Sequence, residues 1–234
     1  VDNNKVDILP SANLSYNINQ KNILRLAYGR TVNRPEFREL APFYFMDFNL
    51  NGGVFGNPEL QNAYIHNVDL RYELYPSPTE TVTLAVFYKQ FINPIEFVLI
   101  SNDNGDYSYR NAPEASSKGL ELDIRKDLSF IGLKNFSVVA NASYLLSEVK
   151  YADGSLYESR PLTGQSPYII NGGIFYANDK WGLNANVQYN RVGERIVALG
   201  MTFADANDNV PNIVEEARNV LDLSLSKEFG KNFS

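Results

Sequence analysis

Apolar and polar residues alternate along most of this chain, and the alternation has a period of two. Nine segments read as strands on that basis: 8–18, 22–32, 63–75, 80–91, 114–126, 135–149, 167–177, 181–195 and 216–229. In the first, Ala12, Leu14, Tyr16 and Ile18 oppose Ser11, Asn13, Ser15 and Asn17. In the third, Val68, Leu70, Tyr72 and Leu74 oppose Asn67, Asp69, Arg71 and Glu73. A slip of one residue would exchange the two faces, so the register is strongly specified.

The connections alternate too. Short turns such as "NQK" and "PSPTE" follow the odd strands, and long irregular segments, 33–62, 92–113, 150–166 and 196–215, follow the even ones. A soluble sandwich has no reason to keep that rhythm. A transmembrane barrel does, with tight periplasmic turns at one end and long extracellular loops at the other. Aromatics add to this reading. Tyr64/Tyr72, Phe136/Tyr144, Tyr168/Tyr176 and Trp181/Tyr189 are pairs eight residues apart on the apolar face. Eight residues of tilted strand project to roughly 20 Å, the height of an apolar band with an aromatic girdle at each edge. The pattern therefore predicts an all-β, antiparallel transmembrane β-barrel. It is incomplete, because nine is an odd count and both edges look unfinished, the last at "KEFGKNFS".

Composition changes this picture little. The 234 residues include fifteen Tyr, fourteen Phe, one Trp and no Cys, which removes disulfides, thiolate metal sites and a Cys nucleophile. A net charge of −6 offers no basic stripe to a nucleic acid. No apolar run approaches the length of a transmembrane helix, and the opening "VDNNKVDILP" is not a signal peptide.

The polar faces point into a lumen lined by charges, including Arg71, Glu73, Glu121, Asp123 and Arg125, with Arg71–Glu73 and Glu121–Arg125 as expected ion pairs. In the first long connection, "NRPEFREL" suits one helical turn. Phe43, Tyr44, Phe45 and Phe48 beside it could line a ligand mouth, with Arg34, Arg38 and Asp47 as polar contacts, or could pack the loop on itself. "SNDNGDYSY" and "DANDNVPN" lack the calcium-loop spacing, and Asn104-Gly105 reads as a hairpin turn. The single histidine, His66, lies on the apolar side without a triad partner, and the glycine-containing stretches precede no helix. No resident metal, cofactor or catalytic residue is expected.

Several blocks resemble the TonB-dependent receptors of the Gram-negative outer membrane: "GRTVNRPEFRELAPF", "GNPEL", "NVDLRYELYP", "FYKQFINPIE", "NAPEASSKGLELDIRKDL" and "GQSPYIINGGIFY". They cover most of the chain in the family's order. The resemblance implies a 22-stranded barrel, of which residues 1–234 supply about nine strands. It further implies a plug domain and a TonB-contacting segment supplied from outside this chain, outer-membrane lipid as surroundings, and uptake of iron–siderophore complexes, cobalamin or glycans. The rival readings are a structural or adhesive outer-membrane barrel, a barrel-based hydrolase and a soluble β-sandwich.

Overall fold

The computed structural model describes residues 6–48, 52–101, 105–151, 159–201 and 209–229. In chain order its elements are β1 (Ser11–Asn19), β2 (Asn22–Asn33), α1 (Phe37–Leu40), β3 (Tyr44–Asp47), β4 (Gly52–Phe55), β5 (Ala63–Leu74) and β6 (Thr81–Ile92). There follow β7 (Ile95–Ser101), β8 (Asp106–Asn111), β9 (Glu114–Asp127), β10 (Phe136–Lys150) and β11 (Tyr168–Asn178). The chain closes with β12 (Leu183–Val192), β13 (Arg195–Ala198), β14 (Ile213–Glu215) and β15 (Arg218–Lys227).

Nine of these strands form one antiparallel meander in the order β1-β2-β5-β6-β9-β10-β11-β12-β15. They are the nine expected strands, with ends moved by a few residues. The largest change is at 181–195, which shortens to β12 because Asn178 to Gly182 form a turn with Gly182 at φ +56°. The turn expected at "KEFGKNFS" falls mostly outside the described residues.

The alternation sets the two faces of this wall. Leu26, Leu70, Val86, Leu120 and Tyr144 stand side by side in register across five strands of the apolar face. That face is bare: Leu225 is 75% exposed, Leu223 74% and Tyr144 54%. Apolar surface on this scale is not left in water. The opposite face carries Arg25, Asp69, Arg71, Glu121, Asp123 and a run of Asn and Ser residues. Among the described residues the wall has only a small buried cluster at its upper end, where Ala115 and Val149 meet Ala112. It does not close, and β1 and β15 each have one unpaired edge among the described residues.

The apolar band slides as it crosses the wall. Tyr28 ends it on β2, where Arg30 follows, and Leu221 ends it on β15, where Asn219 precedes. Followed through the register pairs, Leu221 aligns with Asn22, six residues below Tyr28. That is a stagger of about one residue per strand, equivalent to a strand tilt of about 35°, as barrel closure demands.

All short connections lie at one end of the wall and all long ones at the other. The long ones are not irregular throughout. β3, β4, β8 and β7 form a four-stranded sheet from the first two, and β13 pairs with β14 in the fourth.

Candidate functional site: the cap and the polar wall

The first long connection begins with Pro35, after which α1 forms a single turn. Glu36 and Glu39 satisfy each other's backbone in a capping box, the Glu36 amide donating to Glu39 Oε2 at 2.8 Å. β3 then pairs antiparallel with β4, and β4 runs parallel to β8, so Val54 lies opposite Tyr107. The return is tight. A Cβ on Gly56 would stand 2.0 Å from the Ala41 carbonyl oxygen, and no larger residue fits there.

Two asparagines fasten this unit to its neighbours. Asn57 of "GNPEL" donates to the Tyr109 carbonyl at 2.9 Å, and its amide reaches the Glu39 carbonyl at 2.6 Å. Asn111 donates to the Gln61 and Asn93 carbonyls at 3.0 and 2.8 Å and accepts from the Gln61 amide at 2.8 Å. Both lie in blocks that carry the family resemblance, and both act as struts between the first and second connections.

The principal hydrophobic core lies in this cap. Val54 from the first connection, Val98, Leu99 and Tyr107 from the second, and Ala198, Leu199 and Met201 from the fourth are buried together. The fourth is stitched on by backbone bonds between Leu99 and Leu199 at 2.9 Å and between Leu199 and Phe97 at 3.2 Å. The third is held by charge. Glu96, 1% exposed, receives both the Arg160 guanidinium and the Tyr151 hydroxyl (2.8 Å). Burial pushes the Tyr107 and Tyr109 hydroxyls up from their ordinary pKa. All four long connections therefore form one packed body.

The residues singled out from the sequence divide within it. Arg38 lies over the Phe45 ring at 3.9 Å, and Phe45 packs on the buried core. Tyr44 faces the other side of β3 and packs against Phe55 at 5.0 Å between ring centroids, still 57% exposed. Phe43 is exposed, and Asp47 ends β3 opposite Gly52. Arg34 turns away to pair with Asp7 at 2.8 Å. The cap thus brings Arg38 to Phe45 but does not join Arg34 to them. "SNDNGDYSY" and "DANDNVPN" lie in part outside the described residues, while β7 and β8 form the hairpin read from Asn104-Gly105, with Phe97 opposite Tyr109.

On the polar face, Glu73 accepts from Arg25 at 3.1 Å and from the Tyr75 hydroxyl at 3.0 Å, and it is ion-paired with Arg71 at 3.2 Å. The expected Glu121–Arg125 pair does not form. Four residues of extended strand separate its members by about 13 Å. Asp123 between them instead accepts from Asn141, Asn141 from Asn171 at 3.3 Å, and Asn171 from Asn190 at 2.6 Å. This ladder of direct cross-strand partners spans β9 to β12. Arg25, Asp69, Arg71 and Glu121 line a cavity of about 370 Å³ against the wall.

Among the aromatics, Tyr72, Phe136, Tyr144, Tyr168, Tyr176 and Tyr189 lie on the apolar face in register with apolar neighbours. Two assignments change. Tyr64 sits beyond the apolar band in polar company: its hydroxyl donates to Asp7 at 2.6 Å and Arg30 covers its ring at 4.6 Å. Tyr28 and Tyr88 take the edge position instead. Trp181 belongs to the turn before β12, where its carbonyl accepts from Lys227.

A one-order antiparallel meander, apolar on one face and polar on the other, with tight turns below and a fused cap above, is a segment of a receptor-type transmembrane β-barrel. The chain belongs to the family described as TonB dependent receptor-like, beta-barrel, whose profile matches residues 1–234. That family is one of outer-membrane receptors rather than enzymes. Among solved structures, the siderophore receptor PirA from Acinetobacter baumannii is 15% identical and is matched over 95% of this chain and 35% of its own, with a TM-score of 0.63. The ferric enterobactin receptor PfeA from Pseudomonas aeruginosa, in a variant bound to enterobactin, is 20% identical over 96% of this chain and 33% of its own, with a TM-score of 0.63. The ferric-catecholate import receptor Fiu from E. coli K12 is 13% identical over 95% and 29%, with a TM-score of 0.60. The chain spans about a third of the length of the first two. At these identities the likeness is one of fold. No curated protein sequence matches it.

Proposed function

We propose that this chain is the capped barrel segment of an outer-membrane receptor for TonB-energised uptake of a scarce, large nutrient. The observation that carries the reading is the union of all four long connections into one body at one end of a wall that is apolar outside and polar inside. Lipid surrounds the apolar face, and the ligand enters by the cap and leaves through the polar lumen. The rest of the receptor supplies the plug and the segment that TonB grips. An iron–siderophore complex leads cobalamin and glycans as the ligand class, in line with the names of the solved structures of the same fold. Its contacts are proposed at Arg34, Arg38, Phe43, Tyr44, Phe45 and Asp47, of which Phe43 and Tyr44 offer exposed rings and Arg38 a cation lying over Phe45.

Uptake of a radiolabelled ferric siderophore by cells carrying the full-length receptor, with and without TonB, tests this reading. Uptake should require TonB and fall when Phe43 to Phe48 are deleted, while the amount of assembled barrel holds. Assembled, surface-exposed barrel without TonB-dependent uptake of any of the three ligand classes would favour a structural or adhesive barrel.

A further inference from the structure

The polar face of the wall divides into two panels of different chemistry. β2, β5, β6 and β9 each turn at least one charged residue inward, among them Arg25, Arg71, Lys89 and Glu121. β10, β11 and β12 turn none. Their inward positions hold Asn, Gln, Ser, Gly, Ala and larger apolar residues. β1 carries only Asn and Ser inward, and its Asn13 and Ser15 share the cavity of about 370 Å³ with Arg25 and Glu121. A lining that only had to be wet would scatter its charges over all the strands.

The panels also differ in how far they satisfy themselves. On the ionic one, Glu73 gathers Arg25 and Arg71, but Asp69, Glu121 and Arg125 take no ion pair among the described residues. Lys89 finds only the Phe87 ring, 5.4 Å from its ammonium to the ring centroid. Such charges lose water when a folded body fills the lumen, and that loss is offset only if the body brings opposite charges. Contacts of that kind do not let go easily. The amide panel is closed on itself. Asn190 donates to Asn171 at 2.6 Å, Asn171 to Asn141 at 3.3 Å, and Asn141 to the Asp123 carboxylate at its border. Gln188 donates to Asn186 at 3.0 Å. Each amide keeps a second N–H that can exchange among passing acceptors. Asn141, Asn171, Gln188 and Asn190 line a cavity of about 150 Å³. Gly173 lies among them with the Phe175 ring so close that a Cβ there would stand 2.8 Å from it.

We propose that β10 to β12 form the passage face of the lumen, down which the ligand moves, while the ionic panel seats the body that fills the lumen. A ligand of either sign meets both attraction and repulsion on the ionic panel, where Arg25 and Arg71 stand beside Asp69 and Glu121. The amide panel offers it neutral donors and acceptors, each bond replaceable by the next. Passage needs contacts good enough to admit a ligand and weak enough to release it. The ligand chemistry that fits is an outer surface of hydroxyl, carbonyl and amide groups.

The proposal rests on the receptor reading above, and its test separates the two. The chain has no cysteine, so an introduced thiol reports one position. Asn171→Cys, Asn190→Cys and, on the ionic panel, Glu121→Cys are made singly in the full-length receptor, with any cysteine elsewhere replaced. Cells are treated during uptake with a bulky, reducible methanethiosulfonate, and mass spectrometry confirms the adducts. Surface binding in the cold and energised uptake are then measured with radiolabelled ferric enterobactin. Adducts at 171 and 190 should cut uptake about tenfold or more with surface binding within about twofold, and reduction should restore uptake. An adduct at 121 should leave uptake within about twofold. Unimpaired uptake with complete adducts at 171 and 190, an equal block from 121, or loss of binding in step with uptake would overturn the proposal. So would positions 171 and 190 that stay closed to the reagent while uptake proceeds. If the untreated wild type shows no TonB-dependent uptake, the receptor reading is what fails.

Discussion

At the scale of single residues, charge does its structural work where water is excluded. Glu96 and Arg160 are 1% and 9% exposed, so removing one leaves the other buried and uncompensated. Glu96→Ala should cost the cap about 3–5 kcal/mol. The expected readout is rapid proteolysis in the third long connection with the wall still folded, and Glu96→Leu combined with Arg160→Met should restore much of the resistance. Asp7 is a second such residue. The Tyr64 hydrogen bond, and after it the Arg34 contact, hold its carboxyl below the ordinary 3.8. A depressed pKa means that the folded state favours the ionised form. The clasp is therefore intact above the ordinary value and is lost as pH falls through the lower native one. Amide protection at residues 6–9, measured against intrinsic exchange rates, should fall only on acidification below about pH 4, and Asp7→Asn should show the lower protection at neutral pH.

At the scale of elements, the nine wall strands were legible, and of the cap sheet only the β7–β8 hairpin was. Strands of nine or more residues carry enough alternation to declare a face, as the Leu14 to Ile18 and Leu183 to Tyr189 series do. β3 and β4 have four residues each, and β4 finds β8 far along the chain, Val54 opposite Tyr107, so no local period marks them. The buried carboxylate did leave a trace. Glu96 interrupts the apolar run Ile95 to Ile100, and a charge in such a run calls for a buried partner. The Glu121–Arg125 expectation failed because helix-like spacing does not bring side chains together on a strand. Gly56 is the element-scale test of the cap. Gly56→Ala drives a methyl into the Ala41 carbonyl and should destabilise the cap by about 1–3 kcal/mol, measured as loss of amide protection in β3 and β4.

At the scale of the whole molecule, two environments share one chain. The wall draws stability from cross-strand bonds and from the medium on its apolar side, the cap from a conventional buried core. A charge placed mid-band should therefore be costly and one on the opposite face tolerated. Leu70→Arg should lower barrel stability by about 2–4 kcal/mol in a lipid-bilayer unfolding titration, and Asp69→Arg on the next residue should change it by well under half of that. Equal effects would remove the lipid from the apolar side.

The fused cap also constrains how such a receptor can change its diet. Its long connections meet in one core and around one carboxylate, so they are not independent cassettes. Grafting the third connection from a relative would bring in a stranger opposite Glu96, and grafting the fourth would leave a hole where Ala198, Leu199 and Met201 pack. Chimeras that exchange the connections as a set should be accepted more often than those that exchange one. New specificity would then arise either by whole-cap replacement or by substitutions at exposed positions such as Phe43 and Tyr44, which the core does not hold.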